Sequence, residues 1–222
     1  MQIQPTIQVI EGPAGALEVA TLGVESCPSV TRGLLLLHPH PLHGGSMANK
    51  IITTLARLGR DSQIPTFALN FRGVGGSEGI FDHGFGEVDD ALAVARFGWQ
   101  MGVREWMLAG FSFGAAMAGR LVPRLHAESL GRVVDLLQVA PAVENFPIPL
   151  EPLADIPKAI LFNTDDDVVS PAAMQAYVEA SAPQWTSIHA SGGHFYHGEL
   201  FRLKQEVFGY WQSRGFVADA RD

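Results

Sequence analysis

The stretch AGFSFGAAM, residues 109–117, places Ser112 between two phenylalanines, with Gly110 and Gly114 two positions away on either side. A serine hydroxyl is a weak nucleophile until a base takes its proton, and that base needs an acid to orient it. Glycines at this interval suit a chain that reverses sharply from strand to helix and pushes the hydroxyl into the open at a helix N-terminus. The motif is short enough to arise by chance, so its partners decide its meaning. Downstream, KAILFNTDDDVVS offers Asp165, Asp166 and Asp167, and TSIHASGGHFYHG offers His194 in a glycine-rich loop. In the nucleophile-elbow arrangement the chain order is Ser, then Asp or Glu, then His, and that is the order found here. Three adjacent acids cannot all point inward, and the usual role for two of them is a solvated turn or helix cap. Asp166 is the first choice for the orienting acid and Asp167 the second. His194 competes with His197, which is expected in the first turn of the last helix. A base carried by a glycine loop is easier to aim, which favours His194.

These residues need elements that hold them together. The runs GLLLL (33–37), TFALNF (66–71), WMLAGF (106–111), VVDLLQV (133–139) and KAILFN (158–163) are continuously apolar. They lack period-2 alternation, which predicts strands buried on both faces of a parallel sheet. Helical stretches fall between them at about 47–60, 87–101, 115–128, 171–181 and 198–213, with Ser170 as N-cap before Pro171. Gly59 and Gly102 sit near helix ends, where a left-handed residue is expected. PTIQVIEG and GALEVATLG, joined by Gly12-Pro13-Ala14-Gly15, read as a β-hairpin. The pattern is an α/β three-layer sandwich, one domain over residues 1–222, with a mostly parallel twisted sheet and an antiparallel N-terminal hairpin. In such sheets the chemistry lies beyond the carboxyl ends of the strands, where Ser112, the acids and His194 all fall. The proline-rich segment 140–157 is either a short lid or a loop, too short for a full cap domain.

Bulk composition narrows the partners. Of 222 residues, 47% are apolar and 17% charged, as in a well-packed globule. A net charge of −8 disfavours nucleic acid and anionic membranes. The single cysteine, Cys27, excludes an internal disulfide and is expected as a buried thiol in a reducing compartment. No secretory signal is evident in MQIQPTIQVIEG, and the apolar runs are too short to span a bilayer, so a cytoplasmic location is expected. A small-molecule substrate is the expected partner, and a homodimer stays open.

Two other motifs invite chemistry and are set aside. His38, His40 and His43 resemble a metal set, but no H-E-x-x-H or matching acid pattern accompanies them, so no metal is expected. RGVGGSEG (72–79) follows a strand as a dinucleotide loop would. Counted from Gly73, however, its sixth position is Glu78, not glycine, and it reads as a tight turn beside the site with Arg72 as an anchor.

With HPHPLHGGSMANK, NFRGVGGSEG and GFSFG in order, the chain resembles the α/β-hydrolase superfamily, and more narrowly the small bacterial serine hydrolases that carry these motifs, over about residues 30–210. The resemblance implies the α/β-hydrolase fold with a minimal cap or none, a triad of Ser112, Asp166 and His194, and no cofactor. It also implies an oxyanion hole, one N–H coming from Phe113 and the other from the 38–45 loop. Pro39 and Pro41 have no N–H, so His40 is the first choice there and Leu42 the second. The expected activity is hydrolysis of a carboxylic ester of a small apolar or aromatic substrate through an acyl-enzyme. About half of Phe81, Phe85, Phe111, Phe113, Phe146, Phe195 and Tyr196 are expected to line the pocket. A thioesterase, peptidase or acyltransferase would use the same groups, and a non-catalytic ligand-binding protein on this fold is the alternative outside enzymology.

Overall fold

A computed structural model describes residues 4–24 and 31–217; Cys27 lies outside the described residues. The chain opens with a hairpin, β1 (Thr6–Gly12) and β2 (Gly15–Leu22), closed over Pro13 and Ala14 with Gly12 paired to Gly15. Alternation of βs and αs follows: β3 (Arg32–Leu37), α1 (Lys50–Asp61), β4 (Thr66–Leu69), α2 (Gly86–Gln100), β5 (Glu105–Phe111) and α3 (Phe113–Ala127). The chain then continues through β6 (Arg132–Val139), β7 (Lys158–Asn163), α4 (Pro171–Ser181), β8 (Trp185–His189) and α5 (Leu200–Ser213).

The eight strands form one sheet in the order β1-β2-β4-β3-β5-β6-β7-β8. The hairpin pair β1–β2 and its junction with the sheet, β2–β4, are antiparallel, and the remaining pairings are parallel. The apolar strands read as continuous runs because both faces are covered. On one face Leu35, Leu37, Trp106 and Leu108 pack against Val88 and Ala91 of α2, Met117 and Leu121 of α3, and Met174 of α4. On the other, Leu34, Leu36, Met107 and Ala109 meet Ile51 and Leu55 of α1 and Leu203 and Val207 of α5. The architecture is therefore the three-layer α/β sandwich with an antiparallel N-terminal hairpin. Among the described residues no helix is long and apolar enough to cross a membrane.

The structure corrects several boundaries, each for a local reason. β4 ends at Leu69, not residue 71, because Phe71 turns its N–H to the His38 ring and Asn70 turns its side chain to Glu18. α1 starts at Lys50, since the Asn49 side chain accepts the Ile51 N–H and caps it. α3 begins at Phe113, two residues early, as the turn at Ser112 passes straight into helix. α5 begins at Leu200, so His197 sits in the preceding turn and outside the helix. Gly102 does adopt positive φ, but Gly59 does not. A Cβ at residue 59 would lie 2.4 Å from Thr66 Oγ1 and 2.9 Å from Leu34 Cδ2, so glycine there permits close helix–sheet packing.

Segment 140–157 forms turns and one short 3₁₀ stretch, Glu151–Leu153, and makes no lid. It lies along α3: Arg120 Nε donates to Pro147 O at 3.0 Å, and Ile148 packs where a Cβ on Gly119 would stand.

Candidate active site

Ser112 adopts φ 55° and ψ −116°, a conformation that L-residues avoid without outside support. Its N–H donates to Val139 O on the neighbouring strand at 2.9 Å. Its carbonyl accepts from Ala115, Ala116 and Ala142. The two flanking glycines are needed for space. A Cβ on Gly110 would stand 2.3 Å from Gly114 O, and one on Gly114 would stand 2.1 Å from Leu37 O. On β6, buried Gln138 donates from Nε2 to Ala115 O in the first turn of α3 and accepts from Tyr177 Oη of α4. The turn is thus held from three sides, and Ser112 Oγ is carried to the carboxyl rim of the sheet.

There it meets His194. The Nε2 of that ring lies 2.9 Å from Ser112 Oγ, and its Nδ1 lies 2.7 Å from Asp166 Oδ2. With a carboxylate on Nδ1, that nitrogen carries the proton and Nε2 is free to accept from the hydroxyl. The other carboxylate oxygen, Asp166 Oδ1, accepts the Val168 and Val169 N–H groups at 2.8 Å each. Burial pushes the Asp166 carboxyl up, but bonds from His194, Val169 and Val168 outweigh it and hold the group below the usual carboxylate range. Asp165 and Asp167 are exposed. Of the three acids only Asp166 turns inward, because its carboxylate caps the following turn while facing the ring. His197 is exposed and stands aside from the relay.

The relay opens on a cavity of about 420 Å³. Its walls include His40, His43, Phe113, Phe146 and Phe195, with Asn49 and Asn145 as polar members. Of the seven aromatics expected near the site, Phe113, Phe146 and Phe195 line the cavity. Phe81 backs it, 4.7 Å from His40 between ring centroids. Phe111 lies against His194 with tilted rings 5.0 Å apart, Tyr196 is buried, and Phe85 is exposed. Nothing in the sequence singles out Asn145, Ala142 or Val168, which line the cavity from irregular loops without any periodic signal. A larger groove of about 590 Å³ lies between α1 and the hairpin side of the sheet and includes none of the three relay residues.

The histidine-rich loop has divided duties. His38 is buried, donates from Nδ1 to Pro39 O at 2.6 Å and accepts Phe71 N–H on Nε2 at 3.0 Å. Burial lowers it to about 4, so it is a neutral brace between the ends of β3 and β4. In the loop that follows, Leu42 N–H donates to the His40 ring at 3.2 Å, while His43 and Gly45 N–H both donate to His40 O. Leu42 is thereby committed, and the His40 N–H is engaged in none of these bonds. Phe113 is the first residue of α3, where an N–H has no intrahelical acceptor. Partial burial, with His43 beside it, holds the His40 ring below its ordinary range. Among the described residues no group of three or more His, Cys, Asp or Glu side chains is placed to hold a metal ion. The RGVGGSEG loop packs on the hairpin, with Glu18 accepting from Gly76 N–H and Asn70, and Arg72 forks onto buried Asp90.

The chain is similar to an α/β serine hydrolase homologue from Coxiella burnetii, 33% identical, covering 95% of this chain and 99% of that one with a TM-score of 0.78. The chain belongs to the α/β serine hydrolases. Another member, an α/β serine hydrolase without a lid from Xanthomonas campestris, is 27% identical, with a TM-score of 0.81 over 99% of this chain and 98% of that one. An uncharacterised protein of Rickettsia prowazekii is 33% identical over 185 residues, 78% of this chain and 74% of its own. No family model matches. In this α/β serine hydrolase, among the described residues, the segment 140–157 that follows β6 builds turns and a 3₁₀ stretch and no cap domain.

Proposed function

We propose that the protein hydrolyses a carboxylic ester of a small apolar or aromatic substrate through an acyl-enzyme. The reading is carried by the hydrogen-bonded chain from Ser112 through His194 to Asp166, 2.9 and 2.7 Å long, opening on an aromatic-walled cavity. Ser112 Oγ attacks the ester carbonyl as its proton passes to His194 Nε2. Asp166 keeps the ring in the accepting tautomer and stabilises the imidazolium that forms. The N–H groups of His40 and Phe113 receive the oxyanion of the tetrahedral intermediate, each donor being worth roughly a hundredfold in rate. Collapse breaks the ester C–O bond, and the leaving alkoxide takes the proton from His194. Water then attacks the acyl-enzyme with His194 again as base, which releases the acid and restores Ser112. Phe113, Phe146 and Phe195 supply apolar surface for the acyl or alcohol group, and the lidless rim suits short substrates.

The test pairs a fluorophosphonate probe with p-nitrophenyl butyrate. The wild type should be labelled at Ser112 and turn the ester over, and Ser112→Ala should lose both, with kcat down by about a millionfold. Asp166→Asn should lower kcat by about ten-thousandfold at neutral pH, because the ring then takes the wrong tautomer. An unlabelled Ser112 beside a labelled control esterase would falsify the proposal.

A further inference from the structure

We infer that Asp165 is a positioning residue: with Asn163 and Arg202 it clamps the glycine loop that presents His194 to Ser112. The inference rests on the hydrolase reading for its kinetic consequence, though not for the clamp itself. The loop before His194 is Ser191-Gly192-Gly193, with φ of +120° at Gly192 and +59° at Gly193. Two glycines give the loop the turn it needs, and also the largest backbone freedom a chain can have. An imidazole that must stay in line with both Ser112 and Asp166 cannot be carried on a loose stem, since about 1 Å of misplacement costs up to a hundredfold in rate.

The restraint comes from the end of β7. Asp165 accepts both loop amides, Gly192 N–H on one carboxylate oxygen at 3.1 Å and Gly193 N–H on the other at 2.9 Å. Asn163 Nδ2 donates to Gly193 O at 2.8 Å, so Gly193 is held by its amide and its carbonyl together. Arg202, reaching back from α5, donates to Ser191 O at 3.0 Å and to Asn163 Oδ1 at 3.3 Å, which fixes the amide of Asn163 with its NH₂ toward the loop. Glycine suits residue 192 because its φ of +120° would strain any side chain there, and a Cβ would also crowd Asn163 Nδ2 at 3.0 Å. Neighbouring carboxylates in one turn therefore divide the work: Asp165 grips the backbone that carries His194, and Asp166 grips its ring. Asp165 is exposed, so a carboxylate there needs no partner for its own solvation. Its two amide bonds restrain the loop.

The experiment compares Asp165→Ala, Asp165→Asn and, as a control on an exposed acid of the same turn, Asp167→Ala. Asp165→Ala removes both acceptors, whereas Asp165→Asn keeps one. For p-nitrophenyl butyrate, kcat should fall tenfold or more in Asp165→Ala with KM within about twofold, less in Asp165→Asn, and not at all in Asp167→Ala. The second readout needs no turnover. The downfield proton NMR signal of His194 Nδ1–H, held by Asp166, should broaden or move in Asp165→Ala and persist in Asp167→Ala. Unchanged kcat in Asp165→Ala, or a fallen kcat with the His194 signal intact, overturns the inference. If Asp165→Ala does not fold, Asp165→Asn decides by the same two measures. A wild type that hydrolyses no ester defeats the hydrolase reading, and the NMR signal alone then judges the clamp.

Discussion

At the scale of single residues, the site depends on atoms that are missing as much as on those present. Ser112 holds positive φ only because Gly110 and Gly114 let β5, α3 and the end of β3 come within contact distance. Gly114 is the more demanding of the two. The methyl group of Gly114→Ala would stand 2.1 Å from Leu37 O and 2.5 Å from His38 O, both backbone atoms that no rotamer change can move. We expect that variant to lose about 3 kcal/mol or more of stability, or to fail to accumulate in soluble form. Urea unfolding measures this, and a midpoint equal to the wild type would show that α3 and the end of β3 can part cheaply. Position, not residue type, sets one of the three aspartates against the His194 ring. Asp166 alone combines a capping geometry toward Val168 and Val169 with a line to His194.

Between elements, the notable contact is the one joining β6 to α5 on the side away from the cavity. Asp135 is buried on β6 and accepts from Tyr210 Oη of α5 at 2.5 Å, with the Arg214 guanidinium 3.9 Å away. Burial pushes its carboxyl up to about 7, and the tyrosine and the arginine only partly offset that. The folded state thus keeps a proton that the unfolded chain gives up near the ordinary value of 3.8. The stability tied to the neutral carboxyl is complete below about 3.8 and is withdrawn as pH rises to about 7. Asp135→Asn, neutral at every pH, should therefore gain on the wild type as pH climbs through that window and hold a constant advantage above it. The comparison must be a difference between the two proteins, because His38, lowered to about 4 by burial, runs the other way in the wild type and the variant alike. A pH-independent difference in unfolding free energy between pH 4 and 8 would refute this account.

For the whole molecule, the consequence of the topology is that one rim gathers residues remote in the chain. His40 follows β3, Ser112 follows β5, Asp166 follows β7 and His194 follows β8. Parallel strands end on the same side, so loops at their carboxyl ends meet although Ser112 and His194 are 82 positions apart. Trp106 sits in the core on one face of the sheet and Trp211 in the core on the other. Both should report the same cooperative unfolding that dismantles the relay. In urea, fluorophosphonate labelling of Ser112 and tryptophan fluorescence are expected to decline with one midpoint. Labelling lost at clearly lower urea would mean that the rim opens locally while both cores persist.

Local chemistry alone determined much of this protein. Both-face burial writes an apolar run without alternation, a serine turn between closely packed elements requires glycines around it, and proline removes an N–H wherever it stands. From those rules the layered fold, the hairpin, and the order of Ser112, the acidic run and His194 were readable. What the chain could not settle were matters of direction and distance. Whether Gly59 serves a left-handed turn or a tight contact, whether 140–157 is a lid or a wall, and which of Asp165, Asp166 and Asp167 faces His194 all depend on neighbours far away in sequence. The same holds for the clamp, because Asn163, Asp165 and Arg202 carry no periodic or motif signal. Their partners are backbone groups of a loop that follows β8, and backbone groups look alike in every sequence until tertiary packing brings them within reach.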